Sequence, residues 1–395
     1  MRFVGDDGMA KLIEITGKAL SGEWGIDDEI GTGVPVLRTT NFTNEGVVNY
    51  ENVVTRIINK KNISEKYLQP GDIILEKSGG SDKQPVGRVI YYEGPLNTYL
   101  FNNFTGLLRV QNQKEWYPRY VFYSLFSNYR KGGTRAFENK TTGLHNLKVD
   151  DYVSRHEVVN VEYSLQVDMC DRLDRIAKII QVRKQELQKL DDLVKARFVE
   201  MFGDPVTKQE KKVKLVNIGK VYTGNTPSMK IPEYYESNDI PFIKPGDISE
   251  SGVTIIQNTG SYISESGRKV ARVMPQGSIL VTCIGTIGKV AIASRESSCN
   301  QQINFIVPNE NYNSVYLAYC LSFFKKVLTE MSNAPVVPII NKSQFSAMEI
   351  SVVPKPEQDD FASFVSLVDK SKVVVQKALD EAQLLFNSLL QQYFG

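Results

Sequence analysis

Two stretches of the chain repeat apolar residues at alternating spacings of three and four positions. Neither glycine nor proline interrupts the first stretch before Gly203, and Pro354 and Pro356 precede the second. This spacing, kept over several heptads, is typical of a coiled coil, so we predict helices over 164–202 and 357–394 that pair with each other antiparallel. The expected inward-facing residues are Leu173, Ile176, Ile180, Arg183, Leu187, Leu190, Val194, Arg197 and Met201 in the first helix, and Phe361, Phe364, Val368, Ser371, Val375, Ala378, Ala382, Leu385 and Leu389 in the second.

Shorter apolar runs, rich in β-branched and aromatic residues and bounded by Gly, Pro and Asn, precede each long helix. This pattern predicts strands. The expected strands are 34–38, 73–75, 88–92 and 107–110 in the first half of the chain, and 240–243, 278–282, 289–293 and 304–307 in the second. Two further helices are expected at 119–128 and 314–326.

The two halves of the chain resemble each other. Among the matched residues are Gly22 with Gly224, Leu37 with Ile243 and the Phe-Gly pairs that end the two long helices. Because a repeat of this length indicates a duplicated unit, we predict an α+β fold with two mixed β-rich domains, two long helices and a pseudo-twofold internal repeat. The predicted segments are 1–160 and 204–356 for the β-rich domains, and 161–203 and 357–395 for the helices.

Composition narrows the class of protein. Hydrophobic residues make up 42% of the chain and charged residues 23%, which excludes a disordered or fibrous chain. No apolar run reaches the ~18 residues of a membrane span. The four cysteines are scattered and the two histidines lie near no cysteine pair, so we expect a cytoplasmic protein with reduced thiols and no structural metal.

The sequence carries no recognisable catalytic motif. No glycine-rich cofactor loop follows a strand, and no GxxxxGK[ST] segment is present. Asp72, Glu76 and Lys77 combine carboxylates with a base, which leaves a metal-dependent nuclease or a methyltransferase-related enzyme as an alternative. We expect no catalytic residue, no metal and no cofactor in this chain.

Basic residues are concentrated in two stretches. Residues 109–148 carry eight Lys or Arg against two Glu, and residues 266–302 carry five against one. Such patches are compatible with phosphate contact, while Arg and Lys suit guanine and Asn and Gln suit adenine in the major groove. The candidate DNA-binding residues are Arg38, Thr39, Asn41, Lys77, Arg88, Lys131, Arg135, Lys140, His145, Lys244, Thr282, Lys289, Asn300, Gln301, Asn333, Asn341 and Lys342.

Three motifs carry a resemblance to a known family. They are the segment 187–198 followed by Phe202-Gly203-Asp204-Pro205, the segments 224–227 and 241–248, and Gly285-Thr286-Ile287-Gly288-Lys289 leading to Asn300-Gln301-Gln302. With these motifs the sequence resembles the DNA-specificity subunit of type I restriction–modification systems over essentially its whole length. The first half departs from the family pattern at Gly22-Glu23-Trp24-Gly25 and in an extra loop at 77–86.

The resemblance implies two target-recognition domains separated by helical spacers, double-stranded DNA as a partner, and assembly with two methyltransferase and two restriction/motor subunits. It also implies that S-adenosylmethionine, and ATP with Mg²⁺ for cleavage, bind those partners. We therefore expect a non-catalytic subunit that reads a bipartite target. A nuclease or methyltransferase-related enzyme, and a purely structural coiled-coil adaptor, are the other hypotheses.

Overall fold

The computed structural model describes residues 8–60, 62–141, 144–208, 212–332 and 337–395, with the backbone alone at 140, 141 and 144. Its helices are α1 (Leu12–Thr16), α2 (Pro118–Arg130), α3 (Val149–Arg155), α4 (Tyr163–Phe202), α5 (Leu215–Ile218), α6 (Glu265–Arg268), α7 (Ser314–Ser322), α8 (Lys325–Met331), α9 (Lys342–Ala347) and α10 (Lys355–Phe394). Within this part of the chain, no helix combines the length and the apolar character that crossing a membrane requires.

The chain divides into two compact units. The first comprises Met1–Val182 together with Leu379–Gly395, and the second comprises Arg183–Ala378. Both divisions fall inside a long helix, so α4 and α10 each contribute to both units. The division of the chain into the four segments given above stays a prediction.

The first unit contains two four-stranded sheets, with strand orders β2-β10-β6-β8 and β3-β5-β4-β9, a three-stranded sheet β11-β12-β7 and the pair β1-β13. Its strands are β1 (Met9–Lys11), β2 (Leu20–Ser21), β3 (Ile26–Asp27), β4 (Val34–Leu37), β5 (Val54–Ile57), β6 (Ile73–Glu76), β7 (Ser78–Gly80), β8 (Val89–Tyr91), β9 (Leu100–Phe101), β10 (Thr105–Leu108), β11 (Glu138–Thr141), β12 (Leu144–Leu147) and β13 (Glu157–Val159).

The second unit contains a five-stranded sheet, β15-β23-β20-β21-β17, a four-stranded sheet, β18-β16-β22-β19, and the pair β14-β24. Its strands are β14 (Lys212–Lys214), β15 (Gly219–Thr223), β16 (Ile240–Ile243), β17 (Val253–Ile256), β18 (Tyr262–Ile263), β19 (Val273–Met274), β20 (Ile279–Thr282), β21 (Val290–Ala293), β22 (Ser297–Cys299), β23 (Ile303–Pro308) and β24 (Glu349–Ser351).

The predicted duplication is confirmed by the strand register. In the first unit β4 pairs parallel with β9, with Leu37 opposite Phe101, and in the second β16 pairs parallel with β22, with Ile243 opposite Cys299. The antiparallel order β2-β10-β6-β8 of the first unit is repeated by β15-β23-β20-β21 in the second, where β17 adds a parallel strand at the edge.

A buried glutamine near the start of each long helix repeats the same contacts. Gln166 accepts a hydrogen bond from the backbone N–H of Tyr117 (2.8 Å) and donates to the carbonyl five residues earlier. Gln358 accepts one from the N–H of Asn313 (2.8 Å) and likewise donates five residues back. Since Tyr117 and Asn313 cap α2 and α7, each glutamine fixes a short helix against a long one.

Each unit buries its own main core against these helices. In the first unit Leu173 and Ile176 of α4 pack in one cluster with Phe386 and Leu390 of α10. In the second unit, Phe198 of α4 packs in one cluster with the early α10 residues, Phe361 among them, and the two ring centroids are 5.2 Å apart. The start of α4 therefore meets the end of α10, and the predicted antiparallel helix pair is confirmed.

The predicted inward-facing positions are displaced by one residue at the end of each long helix. Phe198 and Phe202 are buried there, whereas Arg197 and Met201 are only partly buried. In the second helix Leu385 is 50% exposed while its neighbour Phe386 is buried. An α-helix turns every 3.6 residues, so a strict 3.5-residue repeat drifts around the axis. After several turns the apolar contact moves by one position, and it does so in both halves.

Candidate nucleic-acid interface

Several strands of the first unit end at one edge of their sheets. Thr105 at the start of β10 lies opposite Glu76 at the end of β6, and the next residue of β10 lies opposite Ser21 at the end of β2. The N–H of Asn102, just after β9, donates to the carbonyl of Leu37 at the end of β4 (3.0 Å). We call the segments that follow these strand ends, 21–23, 38–41, 77–78 and 102–104, the first strand-end edge.

The second unit repeats this edge. Thr223 at the end of β15 lies opposite Asn304, and Thr282 at the end of β20 lies opposite Ile303. The N–H of Asn300, just after β22, donates to the carbonyl at the end of β16 (3.1 Å). Segments 223–226, 244–247, 282–285 and 300–302 form the second strand-end edge. The predicted residues Arg38, Thr39, Asn41, Lys77, Lys244, Thr282, Asn300 and Gln301 therefore fall on the two edges.

A 3₁₀ turn follows the central parallel strand in both units. In the first turn, Thr39–Asn41, the Asn41 side chain accepts a hydrogen bond from the N–H of Arg38 (2.9 Å). In the second turn, Pro245–Asp247, the Asp247 carboxylate accepts one from the N–H of Lys244 (2.8 Å). The same backbone turn thus leaves different residues exposed, Thr40 in the first half and Lys244 and Gly246 in the second.

Arg88 supports the first turn from beneath. Its guanidinium donates to the carbonyls of Thr39 (2.9 Å) and Phe42 (3.0 Å) and to the Glu76 carboxylate (3.2 Å). Burial raises the pKa of Glu76, and the Arg88 charge opposes that rise. Arg88 directs its hydrogen bonds into the protein and positions the turn.

Lys289 does the same in the second unit. Its ammonium donates to the carbonyls of Pro245 (3.2 Å) and Ile248 (3.0 Å) and pairs with Glu250 at 2.8 Å. The hydrogen bond from Lys289 lowers the pKa of Glu250. The backbone N–H of Lys289 also donates to the buried Thr282 hydroxyl (3.0 Å), so both side chains belong to the interior.

Other predicted residues on the first edge are also engaged. Asn41 is buried and donates to the carbonyls of Asn49 and Glu51, while Arg38 donates to the carbonyl of Asn52 (3.0 Å). The 3₁₀ turn is thereby tied to segment 49–52. The Lys77 ammonium donates to the Ser21 hydroxyl (2.9 Å), and burial lowers the pKa of this lysine.

The hairpin β11-β12 and the loop after α2 carry the next group of predicted residues. His145 is buried, with Nδ1 2.9 Å from the Glu138 carboxylate and Nε2 3.5 Å from that of Asp82. Arg135 is exposed and donates to the Asp82 carbonyl (3.2 Å). Lys131 lies apart from them, since its ammonium donates to the carbonyl of Phe394 at the end of α10 (2.8 Å).

In the second unit the exposed predicted residues lie on or beside the edge. Lys244 is exposed and donates to the Ser261 hydroxyl (2.8 Å), and the exposed Gln301 accepts from the Thr226 hydroxyl (2.7 Å). Asn300 bonds within its own turn. Asn341 caps α9, and Lys342 next to it lies over the Tyr222 ring at 5.8 Å. The side chain of Lys140 and the whole of Asn333 lie outside the described residues.

The residues of the enzyme alternative are held by separate partners. Asp72 pairs with Arg109 at 2.7 Å, whereas Glu76 pairs with Arg88 and Lys77 bonds to Ser21. No group of three or more His, Cys, Asp or Glu arranged to hold a metal ion occurs among the described residues. All four cysteines are buried, and burial raises the pKa of each thiol.

The candidate residues predicted from the sequence do not include the turn 102–104. The N–H of Thr105 donates to the carbonyl of Asn102 (3.0 Å), as that of Ile303 does to the carbonyl of Asn300 (3.2 Å). The exposed Asn103 is therefore the counterpart of Gln301. The signal was present in the repeat, because Gly22 and Gly224 match in sequence and both lie against this turn. A Cβ at Gly22 would lie 2.1 Å from the Asn102 carbonyl oxygen, and one at Gly224 would lie 2.3 Å from that of Asn300.

The second half of the chain matches a known protein family. Residues 208–382 match the family described as the type I restriction modification DNA specificity domain. The MjaIX specificity subunit of Methanocaldococcus jannaschii is 34% identical over 160 residues, which are 40% of this chain and 37% of that protein. The HindI specificity subunit of Haemophilus influenzae is 33% identical over 147 residues, 36% of this chain and 31% of that one. The matches span about a third of these curated relatives.

Solved structures extend the likeness to the whole fold. The type I restriction–modification S subunit from M. genitalium aligns over 100% of this chain and 98% of its own, with a TM-score of 0.56 and 13% identity. A chain from a structural study of complex assembly in a type I system aligns over 98% and 97%, with a TM-score of 0.53 and 15% identity. At these identities the likeness concerns the fold. The resemblance drawn from the sequence is confirmed.

Proposed function

We propose that this chain, whose residues 208–382 match the type I restriction modification DNA specificity domain, is the DNA-reading subunit of such a system. Each strand-end edge reads one half of a bipartite target in double-stranded DNA. The chain itself performs no chemistry. It directs two methyltransferase subunits, which use S-adenosylmethionine, and two restriction/motor subunits, which use ATP and Mg²⁺, to that target in the cytoplasm.

The observation that carries this proposal is the pair of repeated edges with unlike side chains. The backbone of the 3₁₀ turn and the buried cation beneath it are common to both units. The residues at the two turns differ, with Arg-Thr-Thr-Asn in one and Lys-Pro-Gly-Asp in the other. Thr40 is exposed in the first turn, and Lys244 and Gly246 are exposed in the second. A support that is repeated in both units beneath different exposed residues suits two different half-sites, because base contacts and not the backbone specify a sequence.

Methylation mapping tests the proposal. The full chain is expressed with the methyltransferase subunit of its own system in a host that lacks both, and modified adenines are mapped across the genome. We expect modification at a bipartite sequence that depends on the chain. Modification that does not require the chain, or a single uninterrupted recognition sequence, would contradict the proposal.

Single substitutions assign the two units to half-sites. Arg135→Ala alters the first unit and Lys244→Ala the second, so each variant is the control for the other. We expect each to relax or weaken recognition of a different half-site. Loss of an arginine that donates two hydrogen bonds to one guanine costs about 1–3 kcal/mol of binding free energy at that base. Loss of a phosphate contact instead lowers the affinity for all sequences and reduces the salt dependence of binding. Equal effects of both variants on both half-sites would refute independent reading.

The enzyme alternative is tested on the same purified chain. Mg²⁺-dependent cleavage or methylation by the chain alone, abolished by Glu76→Ala, would favour an enzyme. The adaptor alternative predicts no binding to duplex DNA. A DNA reader binds with an affinity that falls steeply as salt rises, because phosphate contacts release counterions.

A further inference from the structure

An exposed aromatic ring lies on the first strand-end edge and has no counterpart in the second. Phe104 immediately precedes β10, and its side chain is 52% exposed. Its backbone is nevertheless fixed, because its carbonyl accepts a hydrogen bond from the N–H of Lys77 (2.8 Å). An aromatic side chain of this size gains free energy when it is buried, so a partner that covers the Phe104 ring would gain from the contact.

The second unit has a different residue at the same backbone position. The carbonyl of Gln302 accepts from the N–H of Cys283 (2.8 Å), the bond that corresponds to the one from Lys77 to Phe104. The Gln302 side chain accepts a hydrogen bond from Asn300 (2.8 Å) and is partly buried. One position of the repeated turn thus presents an apolar ring in one unit and an amide bound within its own turn in the other.

The apolar character of Phe104 indicates which groove of DNA it would read. The minor groove presents a degenerate pattern of hydrogen-bonding groups, whereas each base pair presents a distinct pattern in the major groove, so a residue that determines specificity suits the major groove. The thymine 5-methyl is the apolar group that base edges present there.

We infer that Phe104 is a specificity-determining residue that packs against a thymine 5-methyl in the half-site read by the first unit. This inference rests on the proposed function. Neighbouring polar groups of the edge, Lys77 and Asn103 among them, are left to contact phosphates and hydrogen-bonding base edges. The second half-site has no corresponding requirement, because Gln302 replaces the ring.

Uracil substitution tests the contact, because uracil pairs as thymine does and lacks only the methyl group. The full chain with its methyltransferase partner is titrated with duplexes in which each thymine of the target is replaced singly. We expect one substitution, in the first half-site, to weaken wild-type binding. Loss of one buried methyl is worth about 0.8 kcal/mol, or roughly fourfold in affinity. Phe104→Ala should bind more weakly and should no longer distinguish thymine from uracil there.

Leu96→Ala is the matched control. Leu96 is 59% exposed and lies between β8 and β9, at the opposite edge of the same sheets. This variant should keep both wild-type affinity and the wild-type response to uracil. Far-ultraviolet circular dichroism and tryptophan fluorescence establish that each variant is folded.

Three results would overturn the inference. In the first, Phe104→Ala binds and discriminates as wild type does. In the second, the uracil effect persists unchanged in Phe104→Ala. In the third, no thymine matters, but a 2-aminopurine probe in the target shows unstacking by wild type that Phe104→Ala abolishes, which would mean insertion between bases. Failure of the wild-type complex to bind any duplex would instead refute the proposed function, so the two failures are distinguishable.

Discussion

Replacing Arg88 by methionine should destabilise the first unit by removing the support of its 3₁₀ turn. The guanidinium makes hydrogen bonds to two carbonyls, at 2.9 and 3.0 Å, and an ion pair with Glu76 at 3.2 Å. Methionine fills similar space without charge. The variant therefore leaves a carboxylate that is only 5% exposed without its counter-charge, together with two carbonyls that have lost their donor.

The size of the stability loss in Arg88→Met follows from the burial of Glu76 and Arg88. Breaking a buried ion pair by removing one partner costs about 3–5 kcal/mol, because the remaining charge stays buried. The Arg88 side chain is 16% exposed, so water relieves part of this cost and we expect about 3 kcal/mol. Adding Glu76→Gln to Arg88→Met should recover part of the loss, since the remaining group is then neutral.

The effect should depend on pH. Burial already raises the folded-state pKa of Glu76 above its ordinary value of 4.5, and loss of Arg88 raises it further. A carboxyl whose pKa is raised on folding stabilises the fold below its unfolded pKa and loses that contribution as pH rises through the folded pKa. Arg88→Met should therefore regain stability relative to wild type as pH falls from neutrality toward 4.5.

Urea unfolding followed by tryptophan fluorescence measures these effects. The two tryptophans, Trp24 and the buried Trp116, both lie in the first unit, so the signal reports that unit. Lys60→Met is the control, because the 64% exposed Lys60 side chain also forms an ion pair, with Glu23, at 2.7 Å. Exposed pairs contribute about 0–1 kcal/mol. If Arg88→Met lowers the free energy of unfolding no more than Lys60→Met does, Arg88 does not support the turn as described.

Three further outcomes are expected. Gly224→Ala should destabilise the second unit by about 1–3 kcal/mol in thermal unfolding, because the added Cβ would lie 2.3 Å from a carbonyl oxygen. Gly246→Ala should leave stability unchanged, since a Cβ at Gly246 would have no atom within 4 Å. Equal effects of the two variants would contradict the close approach at Gly224. Burial lowers the pKa of His156 to about 4, so the neutral histidine stabilises the fold above its unfolded pKa of 6.5, and this stability is lost as pH falls toward 4. His156→Phe should remove about 3 kcal/mol of this loss of unfolding free energy at acid pH, measured by urea titration. An unchanged dependence of stability on pH would refute this. Lys244→Ala should weaken DNA binding and lower the salt dependence by about one ion if it contacts a phosphate, while Lys326→Ala, with its side chain 88% exposed on α8, should leave both unchanged.

Periodicity in the sequence predicted the largest elements well. α4 and α10 begin within two residues of the predicted starts and end at the predicted residues, because uninterrupted apolar spacing and the terminal glycine are local signals. The helix predicted at 314–326 is divided instead. Phe323 and Phe324 donate to carbonyls three residues back, which separates α7 from α8. The strand predicted at 107–110 is β10, which begins two residues earlier.

The internal repeat in the sequence also predicted two similar units with polar segments at equivalent positions. Residue type alone placed cations at 88 and 289 and an amide at 41, and it suggested DNA contact for all of them. Whether such a side chain faces DNA or the interior depends on which strand ends lie beside it. Arg88 meets the carbonyl of Thr39, 49 residues away, and Lys289 meets that of Pro245, 44 residues away. Sheet pairing creates these neighbours, and no local pattern encodes them.

The amino-acid sequence by itself therefore determined the duplication and the long helices, since both depend on local spacing, and its short motifs carried the resemblance to the DNA-specificity subunits of type I systems. Only the tertiary structure decided which polar residues support the strand-end edges and which are displayed on them. It also revealed the turn 102–104 and the exposed ring of Phe104. The physical reason is that a charged side chain satisfies whichever acceptors surround it, and those acceptors are assembled from strands far apart in the chain.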